Sequence, residues 1–353
     1  MSAPEIRIDQ LSGLRTILAP GRADRPHGFE RAGGDDEKGA EGCPFCEGRE
    51  EKTPPEVYAV RPAGGEPDTP GWTSRVVPNL YPALAGEDPA AGSENPGGPT
   101  AGEAGTFASA GDPLLESRRA GEPDLFASRP AIGDHEVIIN APEHVTAMSA
   151  LSEERFAGAI ATWRERMRAH PGASYVQLVV NEGATAGASL PHTHAQLYAL
   201  PFVPAAVARE RERAGAYKER TAGGGLLSDV VVEEVRRRER LVAIDDEAAL
   251  ICPWASRSPY ELRVVPRGEN ARFEEDTAGA TMIRTALRLL ATRFDGSPDL
   301  NLWVCTAPRG AEAFHWHVDI APRLTVKAGF ELSTGVDINI FPPERAAAEL
   351  RDC

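Results

Sequence analysis

Two imidazoles and a carboxamide at alternate positions carry the strongest chemical signal in this chain. His192, His194 and Gln196 stand in the run HTHAQLYAL, which reads as a strand ending at Pro201. Side chains at i, i+2 and i+4 of a strand share one face, so these three project together. The loop before them carries Gly183, Gly187 and Ser189. An imidazole is a good nucleophile toward phosphorus, and the backbone amides of a glycine-rich loop can hold phosphoryl oxygens. The pattern points to group transfer through a covalent phospho-imidazole.

A second chemical unit is CPFC, with Cys43 and Cys46 at the spacing of a zinc knuckle. Two thiolates three residues apart in a turn reach one tetrahedral ion but do not complete its coordination. The same spacing occurs in redox dithiols, which sit at a helix start in a thioredoxin-like βαβ context that is absent here. Zinc is the favoured reading. The chain has five cysteines and only these two lie close together, which argues against a disulfide scaffold.

The elements that position these groups repeat. HEVIIN reads as a strand, Ser152 to Arg168 as a helix with an N-cap and acidic first turn, and YVQLVVNEG and HTHAQLYAL as strands. A charged helical run follows from Pro204 to about Arg220. Later ALICPWA, YELRVVPRGE, a helix from Thr277 to Phe294, LNLWVCT and FHWHVDIAP repeat the order. His135–Glu136 and Tyr260–Glu261 stand 125 residues apart, and His192/His194 and His315/His317 stand 123 apart. A near-fixed interval indicates internal duplication. The expected fold class is α+β, with tandem duplicated domains of antiparallel-rich sheet and helices packed on one side. The domains are expected over 1–200 and 201–353. A segment from about Gly86 to Pro130, dense in Gly, Pro and Ala, reads as a flexible insertion.

Charge and hydropathy narrow the partners. Among the 353 residues, 38 basic and 53 acidic side chains give a formal net charge of −15, which argues against a nucleic-acid or anionic-membrane binder. No apolar stretch approaches the roughly 20 residues of a membrane span, and the start, MSAPEIRIDQ, lacks the pattern of a secretory signal. A cytoplasmic protein is expected.

The segment NEGATAGASLPHTHAQ resembles the signature of galactose-1-phosphate uridylyltransferases, a branch of the histidine-triad superfamily. ILAPGRADRP, VVPNLYPAL, NAPEHV, FHWHVDIAPRL and GFELSTG are also similar to family segments. The resemblance implies that His194 accepts a uridylyl group and that Gln196 hydrogen-bonds the phosphoryl oxygens. It places Asn181, Gly187 and Ser189 at the phosphate, Arg22, Arg25 and Asn79 around the nucleotide, and Lys327 near a sugar phosphate. It makes His144 and His192 the partners of Cys43 and Cys46 in a structural zinc site, with His135 a weaker candidate. It suggests a second metal, iron or zinc, at Glu210, Glu269, His315 and His317, and a homodimer. The implied reaction exchanges UMP between UDP-glucose and galactose 1-phosphate. Asp337 stands where the family reads the hexose with glutamine, which leaves the acceptor open. The rivals are a phosphorylase acting on ADP-glucose or a dinucleoside polyphosphate, and a non-catalytic zinc-stabilised nucleotide-binding protein.

Overall fold

The computed structural model describes residues 5–9, 11–12, 15–18, 39–84, 131–311 and 313–353. The insertion expected at about 86–130, and Arg22 and Arg25, lie outside these residues. Ten strands form one sheet: β3 (Tyr58–Val60), β4 (Ser74–Pro78), β5 (Asp134–Ile139), β6 (Tyr175–Glu182), β7 (His194–Leu200), β8 (Leu241–Ile244), β9 (Ala248–Ile251), β10 (Leu262–Pro266), β11 (Leu300–Cys305) and β12 (His317–Pro322). A small second sheet joins β1 (Glu5–Ile8), β2 (Arg15–Leu18) and β13 (Asp337–Asn339).

The large sheet runs β3-β4-β5-β7-β6-β11-β12-β10-β9-β8 and is antiparallel throughout. This order mirrors itself about the β6–β11 seam. The triplet β5-β7-β6 meets its counterpart β11-β12-β10, as the sequence interval implies.

Period-two burial divides the sheet into two faces. Val176, Leu178 and Val180 of β6, Ala195, Leu197 and Ala199 of β7, Leu300, Leu302 and Val304 of β11, and Val318 and Ile320 of β12 point into one shared core. Helices α1 (Glu153–Arg168) and α4 (Ala280–Arg293) cover it. In α1, Phe156, Ile160, Trp163 and Met167 recur at helical spacing, Ser152 caps the first turn at Arg155 N–H (3.2 Å), and Arg166 and Arg168 close the last. The residues between those core positions, including His194, Gln196, Asn181, Cys305 and His317, face the other way. Burying one face thus dictates which side chains are left for chemistry.

Four further helices complete the described chain: α2 (Ala205–Arg220), α3 (Leu226–Arg237), α5 (Gly329–Thr334) and α6 (Pro343–Arg351). Helix α3 packs Leu227 and Val231 against Ala249 and Val265, on the face opposite the shared core. It thereby walls the chemical face of the second repeat.

Glu182, at the end of β6, is buried beside the seam. Its two oxygens accept from Met148 N–H (2.8 Å) and Ser297 Oγ–H (2.6 Å). Burial pushes its carboxyl from the usual 4.5 up to about 7. Below pH 4.5 both folded and unfolded states hold the proton. Between 4.5 and 7 only the folded state keeps it, so stability falls as pH rises through this window, by at most about 3 kcal/mol. Glu182→Gln should therefore gain on the wild type in urea unfolding between pH 5 and pH 8. A pH-independent difference between the two midpoints would contradict a protonated Glu182.

Candidate active site and metal centre

The glycine-rich loop is built at the seam and held from both repeats. It leaves β6 at Gly183 (φ +86°), makes one 3-10 turn over Ala184–Ala186, and reverses at Gly187 (φ +88°). A Cβ on Gly183 would lie 2.0 Å from Asp299 Oδ1, whereas one on Gly187 would meet open space. Asp299 Oδ2 accepts from the amide (2.7 Å) and hydroxyl (2.6 Å) of Thr185. The Asn301 amide donates to Asn181 Oδ1 and to Ala186 O, both at 2.8 Å. Asp299 and Asn301 belong to the second repeat, so its chain fixes the loop of the first. Ser189 is exposed on the same loop.

His194 opens β7 with its ring buried. Its Nδ1 lies 2.8 Å from the carbonyl oxygen of His192. A carbonyl only accepts, so Nδ1 carries the proton and Nε2 keeps its lone pair. Burial lowers the pKa of His194, which favours the neutral ring. A neutral imidazole with a free Nε2 is a nucleophile. Gln196, two residues along the same face, accepts at Oε1 from Tyr198 O–H (2.7 Å) and contacts His135 Nε2 there at 3.1 Å. Asn79 follows β4 and donates its backbone N–H to His135 O (2.8 Å). His135 thus lies with Gln196 and Asn79, away from the cysteines.

Cys43, Cys46, His144 and His192 come together, with their ligand atoms all within 4.8 Å of one another. The measured edges are Cys43 Sγ–His192 Nδ1 3.6 Å, Cys46 Sγ–His144 Nδ1 3.4 Å and Cys46 Sγ–His192 Nδ1 3.7 Å. A tetrahedral ion at ordinary sulfur and nitrogen distances needs an edge of about 3.6 Å. The donors therefore fit a metal ion. His192 Nε2 donates to Ala141 O at 2.8 Å, which turns its Nδ1 lone pair toward the thiols. Burial and the neighbouring Cys43 push the Cys46 thiol up to about 11, so paired thiolates call for a cation between them. Cys43 and Cys46 flank a turn at Pro44–Phe45 and do not stand at a helix start, unlike a thioredoxin-type dithiol. Phe45, between them, sets its ring edge-on to His192 (6.1 Å) and His194 (5.2 Å).

The second repeat keeps the histidine scaffold and changes what surrounds it. His315 Nε2 lies 2.9 Å from Pro266 O, and His317 Nδ1 3.3 Å from His315 O, repeating the pattern of His192 and His194. Asp319 takes the place of Gln196 and receives two bonds from Arg263, at 2.6 and 2.9 Å. The four expected second-metal residues do not form one ligand set. Glu210 and His317 group with Cys305, their ligand atoms within 4.8 Å of one another. Glu269 instead accepts from Ser228 Oγ (2.8 Å), which also contacts His315 Nδ1 (3.2 Å). Glu210, Glu269 and His315 do line one cavity of about 270 Å³. Cys305 is the residue that sequence reasoning missed. It lies directly across from His317 in the β11–β12 register, a pairing that only the sheet reveals.

Lys327 pairs with Asp337 at 2.6 Å and lines a separate cavity of about 420 Å³ with Arg257, Asn301, Trp303 and Glu331. Neither His194 nor Gln196 lines this cavity.

The loop geometry makes a graded prediction. Gly183→Ala combines a strained φ with a clash against Asp299 and should cost about 2–3 kcal/mol in urea unfolding. Gly187→Ala meets only the strained φ and should cost about 1 kcal/mol. Equal losses would show that Asp299 does not hold the loop.

The family model for galactose-1-phosphate uridyl transferase, N-terminal domain, matches residues 108–204. A galactose-1-phosphate uridylyltransferase from Haemophilus influenzae is 30% identical over 258 residues, covering 67% of this chain and 73% of the relative. An ADP-glucose phosphorylase from Arabidopsis thaliana is 28% identical over 366 residues, covering 99% of this chain and 93% of that protein. The crystal structure of an Arabidopsis thaliana ADP-glucose phosphorylase with bound ADP-glucose superimposes with a TM-score of 0.76, at 25% identity and 99% coverage of both chains. A uridylyltransferase structure shares the fold with a TM-score of 0.67 at 24% identity, covering 99% of this chain and 97% of the other. With a family-model match over 108–204 and a relative of this identity and extent, the chain belongs to the galactose-1-phosphate uridylyltransferase family.

Proposed function

We propose that this protein is a nucleotidyltransferase that works in two displacements through a nucleotidyl group on His194. The observation that carries the reading is the neutral, buried His194, whose Nδ1 proton is committed to His192 O at 2.8 Å. In the first step Nε2 attacks the α-phosphorus of a nucleotide sugar. The bond to the bridging oxygen breaks and hexose 1-phosphate leaves. In the second step an acceptor oxygen attacks the phosphorus and the P–N bond breaks, returning the lone pair to Nε2. Splitting one displacement in two leaves positioning and electrostatics to supply most of the acceleration. We assign Gln196, Asn181 and Ser189 to the phosphoryl oxygens on which charge would build.

UDP-glucose as donor and galactose 1-phosphate as acceptor is the reading that the family supports. An ADP-glucose phosphorylase, with inorganic phosphate as acceptor, is the second reading. It is favoured by the Arabidopsis relative that spans nearly the whole chain. Both use the same nucleophile. The four donors of the Cys43 cluster fit zinc, which would serve as a structural ion that fixes His192 and the start of β7. The cluster of Glu210, Cys305 and His317 is the second metal candidate. A cytoplasmic setting agrees with five cysteines in the thiol form, and among the described residues no helix is long and apolar enough to cross a membrane.

Labelling with a panel of UDP- and ADP-sugars should place one nucleotide, acid-labile, on His194 by mass mapping. The nucleotide retained identifies the base, and release by galactose 1-phosphate or by inorganic phosphate identifies the acceptor. His194→Gly should lose the adduct, with added imidazole recovering transfer as a nucleoside phosphoimidazolide. Cys43→Ser should lower zinc content and melting temperature together. An adduct on His192, or turnover without any histidine adduct, would overturn the mechanism. Full zinc retention with unchanged melting would remove the zinc assignment.

A further inference from the structure

A glutamine amide that serves a phosphoryl group must present its nitrogen and not its oxygen. The two orientations have nearly the same shape, so something else must choose between them. At Gln196 the choice can be read from the surrounding atoms. The backbone N–H of Ala83 points at His135 Nδ1 at 3.1 Å. A backbone N–H only donates, so Nδ1 is an acceptor and the proton of the neutral ring resides on Nε2. Desolvation lowers the pKa of His135, in keeping with a neutral ring. Its Nε2–H then donates to Gln196 Oε1 at 3.1 Å.

The Asn79 amide nitrogen also approaches His135 Nε2, at 3.0 Å. Asn79 Oδ1 already accepts from Tyr81 N–H at 2.9 Å, so the NH2 of Asn79 is the end facing His135. A proton on Nε2 sets an N–H against the Asn79 amide nitrogen, and a proton on Nδ1 sets one against the Ala83 amide. The Asn79 side chain can turn aside, whereas the Ala83 backbone N–H is fixed by the chain. The backbone donor therefore selects the proton on Nε2.

The second donor to Gln196 Oε1 is the Tyr198 hydroxyl at 2.7 Å. The His135 and Tyr198 rings stack, with centroids 4.1 Å apart and planes 24° apart, so each fixes the other. With both donors on its oxygen, Gln196 has no acceptor for its amide nitrogen among the described residues. That nitrogen is turned to the same strand face as His194.

We infer that His135 and Tyr198 are positioning residues, which lock the Gln196 carboxamide so that its N–H groups meet the phosphoryl oxygens in the transition state. The inference rests on the proposed nucleotidyl transfer. Two donors on one carbonyl oxygen also polarise the amide and strengthen its N–H groups as donors. Neither residue touches the substrate in this arrangement. Their effect passes through Gln196.

The test is the single-turnover rate of His194 labelling by whichever nucleotide sugar labels the wild-type protein. His135→Phe keeps the stacked ring and removes both nitrogens, and should slow labelling about 10-fold, as for loss of one oriented hydrogen bond. Tyr198→Phe should slow it by a similar factor. Gln196→Ala should slow it by about 10²-fold. In the Gln196→Ala background, His135→Phe and Tyr198→Phe should have no further effect, because nothing remains to be oriented. His135→Gln sets an amide nitrogen near the position of Nε2 and should recover most of the rate. Full additivity in the Gln196→Ala background, or wild-type rates in both Phe variants, would overturn the clamp and leave the transfer reading intact. A wild-type protein that no nucleotide sugar labels would instead overturn the transfer reading, and the clamp with it.

Discussion

One residue, His192, joins the Cys43 cluster to the proposed nucleophile His194, and the rest of the site follows from how it is held. Its ring is fixed from two sides, by Ala141 O at Nε2 and by the two thiols at Nδ1. Its carbonyl oxygen receives the Nδ1 proton of His194. An ion held by Cys43, Cys46, His144 and His192 would therefore set the direction of the His194 lone pair without touching the substrate. The spacing of two is what makes this possible. His192 stands just before β7 with its ring at the thiols, and His194 takes the first position of the strand, with Phe45 packed against both. Displacing His192 would rotate the nucleophile as well as open the metal site.

The second repeat shows how little separates the proposed transfer site from its counterpart in the other copy. His315 and His317 keep the same carbonyl contacts as His192 and His194. The difference lies at the next alternate position. Gln196 is neutral and can offer N–H donors to a phosphoryl group, whereas Asp319 is a carboxylate that offers only acceptors. Arg263 lies directly across the ladder from Asp319 and neutralises it with a two-point ion pair. In the first repeat the corresponding cross-strand pair is Val137 and Gln196, so no cation competes for the amide. A duplicated scaffold can thus keep the imidazole geometry and still lose the donor that developing charge requires.

Much of this was legible in the sequence because it depends on local spacing. The alternation in HTHAQ, the Cys-x-x-Cys turn and the repeat interval all follow from residues close in the chain or at a fixed offset. The helix start at Ser152 and the run to Arg168 appear as read. What was not legible depends on which strands become neighbours and on how side chains rotate. Cys305 has no motif of its own and becomes a candidate ligand only because β11 pairs with β12 and sets it across from His317. Glu269 sits at a plausible offset, but Ser228 captures its carboxylate. Ser228 comes from α3, a helix that begins at Leu226 just beyond the glycine break at which the sequence-read helical run ends. His135 is only a weak zinc candidate from the sequence, and the register of β5 on β7 sets it beside Tyr198, a neighbour the sequence does not reveal.

The seam between repeats explains why the two copies remain one sheet. Strands β6 and β11 meet edge to edge, and the glycine-rich loop begins where β6 ends. Two edge strands left open would expose unpaired backbone groups, so joining them is favourable whatever the chemistry. The joint has also been put to use, since the second repeat supplies Asp299 and Asn301 to the loop and Ser297 to the buried Glu182. Within the loop the amides of Ala186, Gly187 and Ala188 turn back onto Gly183 O and Ala184 O, and that of Thr185 is held by Asp299. Anchoring it from a strand that bears no nucleophile fixes its shape without filling the space needed by the ligand. The copy that lacks the glutamine therefore still shapes the proposed transfer site, as the wall against which the first copy's loop is set.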